Sequence, residues 1–262
     1  MALTIDLKGK IALITGVTSG IGLGIAKMMA KAGCMVIGCA EQSETSEAAQ
    51  RFLTEMESFD AHTDYFRVDM AVAEDIESLV ADIKNDYGRL DILVSNAGQN
   101  VFTGLENSTE KDWQFNLDLN LTAHWRLAKN CKPLLAENIG VIIIMASNHA
   151  YASIPGCAPY SVAKTALTGL VRSLAIEWGP GIRTVGIAPG FIDTPGNQQW
   201  FNAFKKPEEE RQRTVNLHPV KKLGTVEEIG GWCVFLASEY AAFASGVTYL
   251  VDGGRSAVMQ DA

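Results

Sequence analysis

The chain has 262 residues, of which 47% are hydrophobic and 20% charged, and its formal net charge is −8. This composition is ordinary for a globular protein and the length suits one large α/β domain, while the acidic balance argues against a nucleic-acid partner. The five cysteines are odd in number and form no CxxC pair, so we predict reduced thiols rather than a disulfide framework or a metal site.

The ends and apolar runs of the chain bear on its location. Residues 1–9 lack the basic region followed by an apolar region that marks a signal peptide. The longest apolar runs, such as 141–146, are far too short to span a bilayer. We therefore predict a cytoplasmic protein that does not associate with a membrane.

Apolar strand-like runs alternate with helical patterns along the chain. Strands are predicted at residues 11–15, 35–39, 65–68, 90–95, 141–147, 184–188 and 248–251. Helices are predicted at 21–32, 43–58, 72–87, 110–135, 159–178 and 226–238. Near-continuous apolar strands separated by helices imply a parallel sheet covered on both faces. The predicted fold class is α/β, a single domain over residues 1–262 with a Rossmann-type, doubly wound parallel sheet.

Residues 191–219 depart from this alternation. The segment is long, aromatic and charged, and it follows a predicted strand end, where ligands bind in open α/β sheets. A solvated insertion is one interpretation. We favour a substrate lid, because long excursions in compact domains are often functional.

A glycine-rich turn joins the first predicted strand to the first predicted helix and reads TGVTSGIG over residues 15–22. Glycines there let backbone N–H groups approach a pyrophosphate, and the helix N-terminus adds a favourable partial charge. Three glycines alone would also suit an ordinary tight turn. Their position after the first strand predicts a dinucleotide-binding site.

The residues that most strongly indicate chemistry are Tyr160 and Lys164, with Ser147 thirteen positions before the tyrosine. A spacing of four places the phenol and the ammonium on one helix face. An ammonium beside a phenol favours the phenolate, so the tyrosine can act as an acid or base near neutral pH. Ser147 ends an apolar strand, so its hydroxyl would point into the crevice at the sheet edge. Together the three side chains predict proton transfer to or from an alcohol.

These elements, in this order, resemble the short-chain dehydrogenase/reductase family over nearly the full length. The matching elements are the turn at 15–22, Asp69, Asn96-Ala97-Gly98, Asn120, Ser147, Tyr160 with Lys164, and Pro189-Gly190 with Thr194. The resemblance implies an enzyme that transfers a hydride between a nicotinamide cofactor and a secondary alcohol or ketone.

The resemblance also implies roles for individual residues. Tyr160 would be the catalytic acid/base and Ser147 would hold the reacting oxygen. Lys164 would lower the pKa of Tyr160 and bind the nicotinamide ribose, and Asn120 would position a water in a proton relay. The implied cofactor-binding residues are Gly16, Thr18, Ser19, Gly20, Ile21, Gly22, Ala40, Glu41, Asp69, Met70, Asn96, Ala97, Gly98, Tyr160, Lys164, Pro189, Gly190, Ile192 and Thr194. One departure from the family is Ser95, where an asparagine is usual, and we expect little consequence.

The end of the second predicted strand bears on the choice between NAD and NADP. It reads Ala40 and then Glu41, and Ser19 stands where many NADP enzymes carry a basic residue. No Lys or Arg next to these positions is offered to a phosphate, and a carboxylate at 41 would repel one. We predict NAD as the cofactor, with NADP as the alternative.

The residues placed around the substrate by resemblance are Gln99, Asn100, Ser147, His149, Cys157, Asn197 and Trp200. Amides and an imidazole near aromatic rings suit a hydroxylated substrate, so we predict a sugar, polyol or related hydroxy compound. The alternative is an NADP-dependent carbonyl or 3-oxoacyl-[acyl-carrier] reductase, and a remote one is a nucleotide-binding regulator without catalysis. The histidines show no metal-ligand spacing, and no metal is predicted.

Two apolar stretches indicate self-association. The helix predicted at 159–178 is apolar around much of its circumference, and residues 232–251 are also strongly apolar. Terminal strands of such folds often pair across a two-fold axis. With the resemblance, this predicts a homo-oligomer, either a tetramer or a dimer.

Overall fold

One parallel sheet of seven strands organises the computed structural model, which describes residues 4–59 and 61–259. The strands are β1 (Ile11–Thr15), β2 (Met35–Ala40), β3 (Thr63–Arg67), β4 (Ile92–Ser95), β5 (Gly140–Met145), β6 (Ile182–Pro189) and β7 (Thr248–Val251). Their order across the sheet is β3-β2-β1-β4-β5-β6-β7, and all neighbours are parallel. The order reverses between β1 and β4, so the carboxyl ends of these two strands flank the crevice where α/β sheets bind ligands.

Helices cover both faces of the sheet. They are α1 (Gly20–Lys31), α2 (Glu47–Met56), α3 (Ala73–Tyr87), α4 (Glu110–Leu117), α5 (Ala123–Ala136), α6 (Tyr160–Trp178), α7 (Pro195–Asn202), α8 (Pro207–Asn216) and α9 (Val226–Ala237). One apolar layer packs the sheet against α1, α2 and α9, and the other packs it against α3, α5 and α6. Strand β5 serves both layers, because Ile143 faces the first and Ile142 the second. The predicted α/β, doubly wound class is confirmed.

The long helix predicted at 110–135 is interrupted. Helices α4 and α5 are joined by a π-helical turn at Asp118–Thr122. Such a turn inserts an extra residue into the helix and shifts the direction of its side chains. The interruption carries Asn120, so the difference from the sequence-based prediction falls on a candidate catalytic residue.

The segment at 191–219 contains two helices that the sequence analysis did not assign. Thr194 caps α7 by accepting a hydrogen bond from the backbone N–H of Asn197, and Pro195 occupies the first helical turn. Asp193 forms an ion pair with Arg211 of α8 at 2.6 Å. The segment is therefore held together by contacts among its own residues, and its role as a lid stays a prediction.

Two further findings concern the described part of the chain. None of its helices is long and apolar enough to cross a bilayer. All five cysteines are free and buried, so none is paired in a disulfide.

Candidate active site

The glycine-rich turn between β1 and α1 has the shape that a dinucleotide requires. Gly16 and Gly20 have φ angles of +75° and +56°, which side chains other than glycine rarely adopt. A Cβ on Gly22 would overlap the carbonyl oxygen of Gly16 and lie 2.7 Å from Nδ2 of Asn96. The backbone N–H groups that begin α1 are therefore open to an approaching pyrophosphate, and the residues present fit a dinucleotide cofactor.

The ends of β1, β4 and β6 meet around this turn. The Thr15 hydroxyl accepts hydrogen bonds from the backbone N–H groups of Asn96, at 2.9 Å, and of Ala97, at 2.8 Å. The Asn96 amide donates to the carbonyl of Thr15 at 2.8 Å. The Thr194 side chain, beyond β6, lies against Gly20. Residues predicted from distant parts of the sequence to contact the cofactor are thus brought together, whereas Thr15 was missed.

Asn120 is fully buried and bound to the segment after β4. Its Nδ2 donates to the carbonyl of Gln99 at 2.9 Å and to Oδ1 of Asn116 at 3.1 Å, while its Oδ1 accepts from the backbone N–H of Gln99 at 3.1 Å. A Cβ at Gly98 would lie 2.7 Å from Oδ1 of Asn120 and 3.4 Å from Nζ of Lys164. Gly98 therefore allows the amide and the lysine to approach each other. Asn116, one helical turn before Asn120, was not predicted.

The three side chains predicted to carry the chemistry lie together at the carboxyl edge of the sheet. Ser147 follows β5, while Tyr160 and Lys164 occupy the first turns of α6. Nζ of Lys164 lies 5.5 Å from the centroid of the Tyr160 ring and donates a hydrogen bond to the carbonyl of Met145 at 3.0 Å. Ser147 faces the Tyr160 phenol closely enough to lower its pKa. This arrangement places a phenol, a hydroxyl and an amine around one reaction centre.

Burial dominates the electrostatics of this centre. It raises the pKa of Tyr160 to about 12, although Ser147 acts in the opposite direction, and it lowers the pKa of Lys164 to about 7. The sequence analysis expected Lys164 to lower the pKa of Tyr160. The structure differs because the same apolar surroundings disfavour both charged forms. Tyr160 is therefore a neutral phenol at pH 7, the form that donates a proton.

We expect Lys164→Met to be more heat-stable than the wild type near pH 7. The folded-state pKa of Lys164 is about 7, against an ordinary value of 10.5, so folding at neutral pH carries the cost of burying an ammonium. Between these pH values the unfolded chain binds more protons, so the cost falls as pH rises. Methionine removes it, and the Tm should rise by roughly 2–6 °C near pH 7.

The Tm advantage of Lys164→Met should shrink as pH approaches 10.5. Thermal unfolding across this range measures it, with Lys84→Met on the exposed face of α3 as the matched control. An advantage that does not change with pH would contradict the assignment of a buried, titrating lysine.

The adenosine end of the site contains a cation that the sequence analysis missed. Glu41 is exposed directly after β2, and its carboxylate accepts a hydrogen bond from Gln42, whose own oxygen accepts one from the Thr18 hydroxyl. Arg51, in α2, donates to the carbonyl of Thr18 at 3.4 Å. The expectation that no Lys or Arg is offered near this end was therefore wrong. The reason is that α2 folds back over the turn, a contact between residues 33 positions apart.

The other predicted adenosine contacts line the same edge. Ala40 and Met70 are buried, and Asp69 is partly exposed just after β3. The Asp69 carboxylate accepts the backbone N–H of Ala71 at 2.9 Å, which fixes its orientation.

Aromatic and polar side chains surround the Tyr160 ring on the predicted substrate side. The ring centroids of Phe102 and His149 lie 5.3 Å and 6.0 Å from that of Tyr160, both edge-on. Gln99 and Asn100, just before Phe102 in the sequence, are exposed. Cys157 is buried, and burial is the main reason that the pKa of its thiol is raised. Phe102 was not predicted.

Two residues predicted to contact the substrate have other partners. The Asn197 amide donates to the carbonyl of Ile192 at 2.7 Å. The Trp200 ring packs against Phe204 at 4.7 Å and also contacts Phe191 and Phe201. In this structure the Trp200 ring therefore packs inside the 191–219 segment.

The departure from the family at Ser95 has a structural counterpart. The Ser95 hydroxyl and Nδ1 of His124 form a buried hydrogen bond of 2.7 Å. Burial, and secondarily the charge of Lys164, hold the pKa of His124 well below its usual range, so the imidazole is neutral. The sequence analysis did not connect this histidine with Ser95.

A cavity of about 520 Å³ lies beside this centre. It is bounded by the segment after β6, by α9 and by the end of β7, and its lining includes Gly190, Ile192 and Trp232. The lining includes none of Ser147, Tyr160 and Lys164, so these three side chains lie outside the cavity. Within the described residues no group of three or more His, Cys, Asp or Glu side chains is arranged to hold a metal ion.

Comparison with known proteins gives consistent results. The family described as "Enoyl-(Acyl carrier protein) reductase" matches residues 16–256. The chain is 36% identical over 253 residues to human dehydrogenase/reductase SDR family member 4, covering 95% of this chain and 88% of the relative. It is 35% identical to 2-dehydro-3-deoxy-D-gluconate 5-dehydrogenase of Bacillus subtilis, covering 95% of each.

A solved structure is also similar. L-sorbose reductase from Gluconobacter frateurii, in complex with NADPH and L-sorbose, superposes with a TM-score of 0.92 at 30% identity, covering 98% of this chain and 100% of the other.

Proposed function

The chain belongs to the short-chain dehydrogenase/reductase family of NAD(P)-dependent enzymes acting on CH–OH groups, and we propose that its substrate is a sugar, polyol or related hydroxy compound. The observation that carries the proposal is the surroundings of Tyr160, where the His149 imidazole and the Phe102 ring stand on the substrate side. A polar ring suits hydroxyl groups, and the face of an aromatic ring suits the apolar face of a carbohydrate. The names of two relatives, a gluconate-derivative dehydrogenase and a sorbose reductase, support it.

Tyr160 transfers the proton in this mechanism. As a neutral phenol it donates a proton to the carbonyl oxygen during reduction, and as a phenolate it accepts one from the alcohol during oxidation. Ser147 orients the reacting oxygen, and Lys164 lies beside the Tyr160 ring while its Nζ donates a hydrogen bond to the carbonyl of Met145. A bound nicotinamide supplies the hydride acceptor or donor. The buried amide of Asn120 holds the segment that begins at Gly98 next to Lys164.

NAD is the proposed cofactor, and Glu41 is the residue on which the proposal rests. Its carboxylate directly follows the end of β2, where it would accept hydrogen bonds from the ribose hydroxyls of NAD and would repel the 2′-phosphate of NADP. Arg51 argues for NADP instead, because its guanidinium donates to the carbonyl of Thr18 in the glycine-rich turn and would attract a phosphate. The solved sorbose reductase holds NADPH. We give Glu41 the greater weight because it directly follows the strand end.

Substitution of Glu41 measures this balance. Glu41→Gln should raise kcat/KM for NADP roughly tenfold, equivalent to about 1.4 kcal/mol, by removing the repulsion. Glu41→Arg should shift the preference further toward NADP. Glu44→Gln, an exposed carboxylate three residues along, is the matched control and should leave the ratio unchanged. A wild-type protein that already prefers NADP would show that Arg51 outweighs Glu41.

A substrate panel tests the proposed function. Purified protein is given aldoses, polyols, hydroxy acids and simple alcohols with NAD and with NADP, and nicotinamide absorbance is followed. We expect NAD reduction by a sugar or polyol. Silence on this panel, with NADPH oxidised by ketones or 3-oxoacyl thioesters, would instead favour the carbonyl or 3-oxoacyl reductase.

The segment at 191–219 is proposed as the substrate lid of the single domain. The Asp193–Arg211 ion pair and the aromatic contacts of Trp200 give it internal structure, and Thr194 joins it to the cofactor turn. A lid that contacts the glycine-rich turn through Thr194 would close over the substrate once both cofactor and substrate are bound.

We also propose a cytoplasmic homo-oligomer, a dimer or tetramer. The free cysteines suit a reducing compartment. In the described part of the chain β7 is an edge strand, and Trp232, Phe235, Phe243 and Leu250 are solvent-exposed near it, with Phe243 completely so. Apolar surface beside a strand whose outer edge is unpaired favours association with a second copy of the chain.

Sedimentation velocity tests this association. The wild type should sediment as a dimer or larger, and Phe243→Glu should shift the distribution toward a smaller species. A wild-type protein that is a stable monomer at micromolar concentration would contradict it.

A further inference from the structure

Three buried polar atoms without hydrogen-bond partners cluster where the chain turns after β7. Within residues 4–59 and 61–259, no partner is found for Nη1 of Arg255, Oγ of Ser256 or Nε2 of His218. Buried polar groups are nearly always paired, so such a cluster needs an explanation. An explanation that accounts for all three is a polar ligand that satisfies them.

Arg255 has no anion bonded to it in the described structure. The nearest carboxylate in sequence, that of Asp252, accepts the backbone N–H groups of Gly254 at 2.9 Å and of Ser256 at 2.7 Å. It therefore stabilises the turn, and no side-chain bond joins it to Arg255. Burial is the main cause that lowers the pKa of Arg255, and the nearby charge of Arg213 lowers it further. Arg213 is itself paired with Glu210. The Asp252 charge acts on Arg255 in the opposite direction to Arg213, so the partly buried guanidinium has a nearby carboxylate but no hydrogen-bonded anion among the described residues.

This cluster lies at the same edge of the sheet as the reaction centre. Strands β5, β6 and β7 are neighbours, and their carboxyl ends carry Ser147, Gly190 and Asp252 in that order. Gly190 lies against Asp252, and the Tyr151 hydroxyl donates to the carbonyl of Thr248 at 3.1 Å. Two strand spacings, about 10 Å, separate the ends of β5 and β7. A compound of sugar size spans that distance.

Two histidines lie within electrostatic reach of Arg255. Burial, and then the charge of Arg255, lower the pKa of His149, whose ring packs against Tyr160. The pKa of His218 is lowered chiefly by burial and also by Arg255, and its ring edge faces Gly253. Nδ1 of His218 lies 2.8 Å from the carbonyl of Thr214, so it carries the proton and Nε2 is free to accept a hydroxyl. Arg255 is thus close enough to act on the pKa of both His149 and His218.

We propose that Arg255 binds an anionic group of the substrate, a carboxylate, at the end remote from the carbon that reacts at Tyr160. The inference rests on the proposed function and narrows it to hydroxy acids of sugar size. A guanidinium donates two parallel hydrogen bonds to a carboxylate, and a phosphate offers the same chemistry. Ser256 donates to the anion, and His218 accepts a substrate hydroxyl.

The experiment compares two six-carbon compounds that differ at one end. D-gluconate carries a carboxylate where D-sorbitol carries a hydroxymethyl group, and sorbitol 6-phosphate tests the phosphate alternative. Calorimetric titration into the NADH-bound protein measures binding directly, and steady-state kinetics gives KM and kcat for whichever compounds turn over. The variants are Arg255→Gln, Arg255→Lys and, as a matched loss of one positive charge on the exposed face of α6, Arg172→Gln.

We expect gluconate to bind the wild type at least tenfold more tightly than sorbitol. Arg255→Gln should weaken gluconate binding roughly 10- to 100-fold, in line with the loss of a charged hydrogen-bond pair, and leave sorbitol binding unchanged. Arg255→Lys should be intermediate, and Arg172→Gln should match the wild type. Tighter binding of sorbitol 6-phosphate than of gluconate, with the same dependence on Arg255, would identify phosphate as the anion.

Equal binding of gluconate and sorbitol to the wild type would overturn the proposal. So would equal losses for both compounds in Arg255→Gln, which indicate a structural role only. The two proposals fail separately. Arg255-dependent binding of gluconate without turnover of any hydroxy compound would refute the proposed function and retain the anion site, while turnover of neutral polyols untouched by Arg255→Gln would do the reverse.

Discussion

Tyr160→Phe should reduce kcat by roughly 10²–10⁴-fold while leaving the dissociation constant for NADH within about twofold of the wild type. The substitution removes only the hydroxyl that transfers the proton. The ring keeps its edge-on contacts with Phe102 and His149, and the glycine-rich turn lies outside its reach. Activity is followed with the best substrate from the panel, and NADH binding by fluorescence titration.

Tyr151→Phe is the matched control for this experiment. It removes a phenol hydroxyl nine residues away that donates to the Thr248 carbonyl, and kcat should stay within about twofold. Retention of most activity in Tyr160→Phe would contradict the assigned acid/base. Loss of NADH binding would mean that the phenol is structural. A wild type that binds NADH and turns nothing over would instead favour the non-catalytic nucleotide-binding regulator.

Gly22→Ala should abolish measurable dinucleotide binding, with a loss of at least about 100-fold in affinity, equivalent to about 2.7 kcal/mol. A methyl group there would overlap the carbonyl oxygen of Gly16 and crowd Asn96, so the turn must open and its N–H groups must move. The free energy of unfolding should fall by about 1–3 kcal/mol, as for other overpacked sites. NADH titration and thermal unfolding measure the two effects.

Gly231→Ala provides the control, because a Cβ at this position in α9 meets no atom within 4 Å. In a helix interior alanine is favoured over glycine by about 0.5–1 kcal/mol, so this variant should be equally or more stable. NADH should bind it as it binds the wild type. Wild-type affinity in Gly22→Ala would show that the turn does not hold the pyrophosphate.

Much of the fold could be predicted from the sequence because it is written in local patterns. Apolar runs of strand length, separated by amphipathic stretches, indicated the parallel sheet. The capping residue Thr194 directly precedes helix α7, which the sequence analysis did not assign. That helix and α8 were missed because their polar, charged residues give little apolar periodicity. The π-helical turn at Asp118–Thr122 was missed because no local sequence pattern marks it. Its visible feature is the buried contact of Asn120 with Gln99, which only the fold creates.

For the candidate site, the sequence predicted which residues come together better than it predicted their pKa values. Residues that follow neighbouring parallel strands must meet at one edge of the sheet, and Ser147 and Asn96 do follow β5 and β4; their roles stay predictions. Arg51 was missed because it reaches the glycine-rich turn through a contact between residues 33 positions apart. The pKa of Tyr160 depends on how completely the phenol is buried, and burial is a property of the packed structure that Tyr-xxx-Lys spacing does not contain.

Deuterium transfer tests the central claim most directly. The hydroxy compound that turns over is prepared with deuterium on its reacting carbon, incubated with NAD and the protein, and the reduced nicotinamide is analysed by mass spectrometry. Direct transfer predicts one deuterium in each reduced nicotinamide, with none acquired from deuterated water when the substrate is unlabelled. Deuterium that exchanges with solvent, or reduced nicotinamide without label, would contradict the dehydrogenase chemistry assigned to this site.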